Sequence, residues 1–353
     1  MIGQEASSRV IQSMGNEMVP WIECPSLDLD LSLPLAERFR EIPEELLNRS
    51  RQLLQAVQRE ISGSARWLAP MVHLRTGNRF RAEVVAMSQR VEVDWRDLTL
   101  ANLSYELVIG QFGCSTVALA TSTGPVLARN MDFCPETWLA RASVLLRFVR
   151  GERPVFVSAS WLGAIGVVSG LSSRGFAVVL NAVAGFDRLN KLGYPVLLHL
   201  RRVLEEADGF DHAVRWLASK KLTTGALFTV VGTENHQRVV VERTATQSAL
   251  RKPSGDEPLV TTNDYRLLGE HSVNTGHQLV ATSCSRFDAL CRFFDSHRPT
   301  DSVDDTRLLY ALTEPSVRQS ITAQHMIFRP REQSARLFVP RDLIDAESSS
   351  LES

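Results

Sequence analysis

Gly113-Cys114-Ser115-Thr116, followed by Gly124-Pro125-Val126-Leu127-Ala128-Arg129-Asn130-Met131-Asp132-Phe133, decides how this chain folds. Residues 116–120 form a short β-prone run, Ser122-Thr123-Gly124-Pro125 is a turn signal, and residues 126–129 read as the returning arm of a hairpin. The composition changes at Cys114 more sharply than anywhere else in the chain. Before it the texture is helical; after it, strands dominate.

Upstream, Leu35, Phe39, Ile42, Leu46 and Leu47 recur at helical spacing, as do Leu53, Leu54, Val57 and Ile61. Pro43 splits the first set into two helices. A turn at Thr76-Gly77-Asn78 precedes a helical stretch through Val84, Val85 and Met87. Asp97 or Thr99 is placed to cap a short helix through Leu103, Tyr105 and Leu107. Downstream, strands are predicted at residues 144–149, 154–158, 176–181, 226–231, 238–243, 258–262, 323–328 and 335–339. Helices are predicted at 197–206, 210–219, 285–294 and 302–312. Strands, then helices, then strands again imply stacked antiparallel sheets covered by helices, not a parallel doubly wound sheet. The polar tail, residues 347–353, is expected to fray.

Composition narrows the function. Of 353 residues, 44% are hydrophobic and 22% charged, as in a globular protein, and the formal net charge of -1 recruits neither nucleic acid nor an anionic membrane. No charged lead and apolar run open the chain, and nothing approaches the roughly 18 to 20 apolar residues of a membrane helix. Five scattered cysteines, an odd number, argue for reduced thiols and a cytoplasmic setting. There is no GxGxxG, P-loop or GxSxG elbow, and the eight histidines include no HExxH. Cys284 and Cys291 share a helix face and read as structural thiols. No metal or organic cofactor is called for.

On chemistry alone, a cysteine at the start of a strand with Arg129 and Asp132 on the return arm fits two readings. One is an activated thiol, since a nearby guanidinium favours the thiolate of a group with a pKa of roughly 8.5. The other is a buried structural cysteine, with Arg129 and Asp132 as a surface ion pair. Side chains alternate along a strand, so bringing both residues to Cys114 requires the strand to end or bulge near Asn130-Met131. Taken singly, Asn181 and Asn263 read as strand-end turn residues and Arg286 as a solvated helix residue.

The order of the motifs resembles acid ceramidase and N-acylethanolamine acid amidase, relatives of choloylglycine hydrolase and penicillin V acylase in the N-terminal-nucleophile hydrolase superfamily. The likeness rests on Cys-Ser-Thr and the run Gly124 to Phe133, then Trp161-Leu162-Gly163-Ala164-Ile165-Gly166, Gly175 to Asn181, Thr262-Asn263-Asp264-Tyr265 and Ser285-Arg286-Phe287. Before Cys114 it includes Leu27-Asp28-Leu29-Asp30-Leu31 and Leu103-Ser104-Tyr105-Glu106-Leu107. It implies an α+β fold, a four-layer αββα sandwich from residue 114 to 353, preceded by a mainly helical segment, residues 1–113. Relative to acid ceramidase, Ala182 stands where a glutamate is expected.

The resemblance also implies roles. Cys114 breaks its own bond to Gly113 and is left with a free α-amine, whose pKa of roughly 7.7 to 8.0 suits a general base. Asp132 holds that amine, Arg129 steadies the thiolate, and Asn181 and Asn263 donate to the oxyanion. Arg286 matches a second arginine near the nucleophile. Phe133, Trp138, Trp161 and Leu162 suit a lipophilic acyl group, or simply pack the core. The implied substrate is a small N-acyl amide, and the implied partner is the cut N-terminal segment, retained as a second subunit. Three outcomes stay open: amide hydrolysis, transfer of the acyl group to an amine, and a non-catalytic binding protein.

Overall fold

A computed structural model describes residues 19–61, 63–107, 112–183, 189–271 and 281–345. Residues 1–18 and 347–353, the subjects of the signal and tail expectations, lie outside the described residues. The segment ahead of Cys114 opens with β1 (Trp21–Glu23) and β2 (Ser26–Asp30), then runs through α1 (Leu35–Arg38), α2 (Glu44–Glu60), α3 (Leu68–Arg75), α4 (Arg81–Arg90), α5 (Trp95–Ala101) and α6 (Ser104–Leu107). Pro43 sits immediately before α2 and separates it from α1 as predicted. In α2 the residues Leu47, Leu53, Leu54 and Val57 bury one helical stripe. The cap of α5 is Asp94, whose carboxylate accepts from Arg96 N, so that helix begins earlier than Asp97 or Thr99 implied. β2 comes from the alternation of Leu27, Asp28, Leu29 and Asp30, a period of two that puts Leu29 inward.

From there β3 (Phe112–Leu119) and β4 (Val126–Phe133) form the expected hairpin, turned at Gly124 with φ +103°. The chain continues through α7 (Glu136–Ala142), β5 (Ser143–Arg150), β6 (Arg153–Trp161), β7 (Ser169–Ser172), β8 (Phe176–Asn181), α8 (Val196–Glu206), α9 (Phe210–Ser219), β9 (Ala226–Val231), β10 (Arg238–Arg243), β11 (Ser248–Arg251) and β12 (Leu259–Thr261). It closes with α10 (Ser283–Phe293), α11 (Asp305–Thr313), β13 (Thr322–Arg329), β14 (Ser334–Pro340) and α12 (Arg341–Asp345). All the predicted downstream strands and helices are present; α7, β7, β11 and α12 are additions.

The strands make a six-stranded sheet in the order β1-β14-β13-β4-β3-β12 and an eight-stranded sheet in the order β11-β10-β9-β8-β7-β6-β5-β2. Helices α8 and α9 cover the outer face of the larger sheet, and α10 and α11 that of the smaller. This is the αββα sandwich. Along β3 and β4 the alternation is legible in the packing. Ala118, Leu127, Met131 and Phe133 join the core between the sheets, whereas Val117, Leu119, Val126 and Ala128 join a second core with Leu290, Phe294, Leu308 and Leu312. Every residue of β4 is buried. Gly166 and Gly170 allow α8 to lie close: a Cβ at either would come within 2.6 Å of Leu197 or Leu204.

The N-terminal strands are stitched into both sheets. β1 pairs antiparallel with β14, and β2 pairs parallel with β5.

Candidate active site

The hairpin register places Gly113 opposite Asp132, Cys114 opposite Met131, Ser115 opposite Asn130 and Thr116 opposite Arg129. Cys114 is 1% exposed, and its thiol lies on the face between the sheets. There Arg129 Nη2 donates to Cys114 Sγ at 2.8 Å, and Sγ approaches Leu180 O at 3.7 Å. The other guanidinium nitrogen donates to Val168 O at 3.3 Å and to Ser169 Oγ. Arg129 is fully buried, which removes the surface ion pair from consideration. A desolvated cation against sulfur acts in a low dielectric, where its field is strong.

The other face of the hairpin addresses the backbone of the same cysteine. Arg286, from the first turn of α10, donates from Nη1 to Cys114 O at 2.6 Å and to Ser115 Oγ at 3.0 Å, and from Nη2 to Asn263 Oδ1 at 2.8 Å. Asn263 Oδ1 also accepts from Cys114 N at 3.1 Å, while Asn263 Nδ2 donates to Ala182 O at 2.7 Å. Asp132 Oδ1 accepts from Thr322 Oγ1 at 2.6 Å, and Oδ2 stands 4.0 Å from Arg286 Nη1. Burial raises the Asp132 carboxyl above its ordinary value, opposed by Arg286, Thr322 and Arg129. Burial also lowers the Arg286 guanidinium, which Asp132 and Cys114 counter.

The strand does not bulge where the sequence argument required. The β3–β4 ladder runs unshifted through Asn130-Met131, and the irregularity lies on β13, between Thr322 and Gln324. Arg129 and Asp132 therefore stay on opposite faces. No bulge is needed because one serves a side chain and the other flanks a backbone.

Of the five residues predicted around Cys114, Arg129, Asn263 and Arg286 contact it directly, and Asp132 stands behind Arg286. Asn181, at the end of β8, is one residue removed: it accepts from Thr116 Oγ1 at 2.8 Å and donates to Thr261 O at 3.0 Å. Of the acyl-pocket candidates, Phe133 and Leu162 are core residues, 2% and 0% exposed. Trp138 and Trp161 are half-buried against the same core. A groove of about 800 Å³ between α1 and α4 is lined by Leu35, Phe39, Arg81, Val85 and Arg90, away from Cys114. Sequence reasoning missed Thr322, Ser169, Thr282 and Ser283, hydroxyls that hold Asp132, Arg129, Arg286 Nε at 3.1 Å and Asn263 N at 2.8 Å. Short hydroxyl residues carry no local signal that would single them out. Among the described residues no group of three or more His, Cys, Asp or Glu is arranged to hold a metal ion, and no helix is long and apolar enough to cross a membrane.

Residues 119–322 match the model of a family described as acyl-coenzyme A:6-aminopenicillanic acid acyl-transferase. The chain belongs to this family. This family member is similar to a probable acid ceramidase of Caenorhabditis elegans, 25% identical over 293 residues, which cover 72% of this chain and 69% of that protein. It is also similar to N-acylethanolamine-hydrolyzing acid amidase of Oryctolagus cuniculus, 27% identical over 175 residues, 46% of this chain and 47% of the amidase. The match thus spans about half the length of the amidase. Among solved structures, a Caenorhabditis elegans N-acylethanolamine-hydrolyzing acid amidase ortholog superposes with a TM-score of 0.52 at 18% identity, covering 62% of this chain and 93% of that one. That likeness bears on the fold and agrees with the αββα layering. Family and relatives support membership of the N-terminal-nucleophile hydrolase superfamily, as the sequence resemblance implied.

Proposed function

We propose that this chain severs itself between Gly113 and Cys114 and then uses Cys114 to hydrolyse an N-acyl amide. The observation that carries the reading is that both ends of one buried residue are held: Arg129 Nη2 at 2.8 Å from the sulfur and Asn263 Oδ1 at 3.1 Å from the nitrogen. In the first stage Sγ attacks the Gly113 carbonyl, the C–N bond to Cys114 breaks, and the nitrogen takes up a proton. Water then hydrolyses the Gly113 thioester, leaving a carboxylate on Gly113 and a free amine on Cys114.

In the second stage the amine accepts the thiol proton as Sγ attacks the substrate carbonyl, and returns it to the leaving nitrogen. Asn263 Oδ1 already accepts from that nitrogen, and Asp132 and Arg286 set the field around it. The carboxamides of Asn181 and Asn263 each keep an N–H beyond those given to Thr261 O and Ala182 O, and these serve the tetrahedral oxyanion. With Phe133 and Leu162 taken up by the core, Trp138 and Trp161, half-buried against it, remain as candidates to meet the acyl chain. No step calls for a metal.

The cut segment stays bound as a second subunit. Asn102 accepts from Ile165 N at 2.7 Å and Gly166 N at 2.9 Å, Tyr105 Oη donates to Gly225 O at 2.7 Å, and Glu106 Oε1 accepts from Val196 N at 2.7 Å. The relatives' names favour a lipid-like acyl amide as substrate. The family's description favours a second reading, in which an amine rather than water takes the acyl group from the Cys114 thioester.

Intact mass under denaturing conditions, with Cys114→Ala beside the wild type, tests the first stage. Two wild-type fragments meeting at Gly113/Cys114 and a whole variant are expected; a wild-type chain that stays whole under every pH tried removes the reading. Adding amine acceptors to the cut enzyme separates hydrolysis from transfer by the product formed.

A further inference from the structure

Glu242 lies on β10, in the sheet opposite the one that carries Cys114, and is fully buried. Its Oε2 accepts from three consecutive backbone amides, Arg266 N at 3.1 Å, Leu267 N at 2.8 Å and Leu268 N at 3.0 Å. Its Oε1 accepts from Arg266 N at 3.2 Å and from Arg251 Nε at 3.2 Å. A carboxylate buried this deeply is costly unless its lone pairs are filled, and here a nest of amides and one guanidinium fill them. Ion pairing with Arg251 alone does not call for the three amides, which belong to a loop of the other sheet.

That loop follows β12 and carries Asn263. It is pinned again by Tyr265 Oη, which donates to Arg243 O at 2.6 Å, one residue along β10 from Glu242. Arg251 in turn donates to Val260 O at 2.9 Å, tying the end of β12 to the same anchor. Residues 260–268 are thus fastened to two neighbouring residues of β10. Asn263, at the head of the loop, spans Cys114 N and Ala182 O.

We infer that Glu242 is a positioning residue for the nucleophile: it fastens the 266–268 backbone to β10, and so fixes Asn263 Oδ1 on the nitrogen of Cys114. The inference rests on the self-cleavage reading given above. It concerns no contact between Glu242 and the reacting atoms; the effect travels through the loop and the Asn263 carboxamide.

The test compares four full-length chains: wild type, Glu242→Gln, Asn263→Ala and the double variant. Self-cleavage is followed by intact mass, hydrolysis of N-palmitoylethanolamine by released acid, and folding by thermal unfolding. Misplacing a reacting group by a fraction of an ångström to 1 Å costs up to roughly a hundredfold. Glu242→Gln is expected to slow cleavage about tenfold or more in the wild-type background and to add little once Asn263 is alanine. Equal slowing in both backgrounds would show that Glu242 acts elsewhere and overturn the inference, as would wild-type rates in Glu242→Gln. A wild-type chain that never cuts fails the underlying reading, and the inference with it. Where the glutamine protein does not fold, Glu242→Asp keeps the charge beside Arg251 while drawing the carboxylate back by one methylene. A several-fold slowing that disappears with Asn263→Ala is then expected.

Discussion

The two faces of the β3–β4 hairpin treat Cys114 differently. On the face between the sheets a single guanidinium, held by Ser169 and Val168 O, meets the sulfur. On the helix-covered face a network of Arg286, Asn263, Asp132 and Thr322 surrounds the backbone nitrogen and carbonyl. In an ordinary thiol enzyme only the side chain needs an environment. A residue that becomes both nucleophile and terminal amine, as proposed for Cys114, needs its main chain addressed too, and strand alternation supplies two faces for the two tasks.

The comparison breaks most decisively with Arg129→Met. Loss of the cation beside sulfur is expected to slow both self-cleavage and substrate turnover on the order of a hundred- to a thousandfold. Asp132→Asn removes charge from the other face only, and is expected to impair turnover, where a charged amine must be held, more than the first cut. Rates of the two stages, measured separately by mass and by product release, check the contrast. Equal losses in the two stages would mean that the faces are not specialised.

Thr322→Val sharpens the same contrast with a smaller effect, about tenfold at most. The hydroxyl is one of the groups that hold the buried Asp132 carboxyl down against burial. Without it the carboxyl pKa rises further, so the pH at which activity fails on acidification should move upward, while the alkaline side stays put. A pH–rate profile unchanged from the wild type would remove Thr322 from the site.

The smallest expected effect on chemistry comes from Glu106, which acts on the assembly. Burial pushes its carboxyl from 4.5 up to about 7, partly offset by Val196 N and Thr223. Between those values the folded state holds a proton that the unfolded chain has released, so stability falls as pH rises from 4.5 to 7 and is level above. The loss across that window is roughly 3 kcal/mol. Glu106→Gln should flatten the dependence of the unfolding midpoint on pH across it, and of subunit separation in the cut protein, without changing kcat.

Much of this was legible in the sequence. The β-rich runs after Cys114 are long and apolar, and β8, β9 and β10 fall on the predicted residues. The hairpin followed from its Gly124-Pro125 turn. Arg286 read as solvated because it stands alone as a charge, yet it lies three and four residues before Ala289 and Leu290 on the buried stripe of α10. That spacing was the available signal. What could not be read was the partnership across distance: Thr322 meeting Asp132, or Asn263 meeting Cys114, depends on how two sheets stack rather than on any local pattern. The alternation rule was right, and the inference drawn from it was wrong because it assumed that both side chains sought the thiol.

One feature of the hairpin bears on timing. The bond that the proposed self-cleavage would cut is not in a loop but inside a ladder, with Phe112 paired to Phe133 and Gly113 to Asp132. Breaking a covalent link in a ladder leaves its hydrogen bonds standing, so the two residues before the cut have no reason to depart at once. Under that proposal scission and unveiling are separate events, each with its own clock. A freshly cut molecule should pass through a silent interval, and the length of that latency, set by how fast a two-residue tail peels from β4, decides when the enzyme wakes.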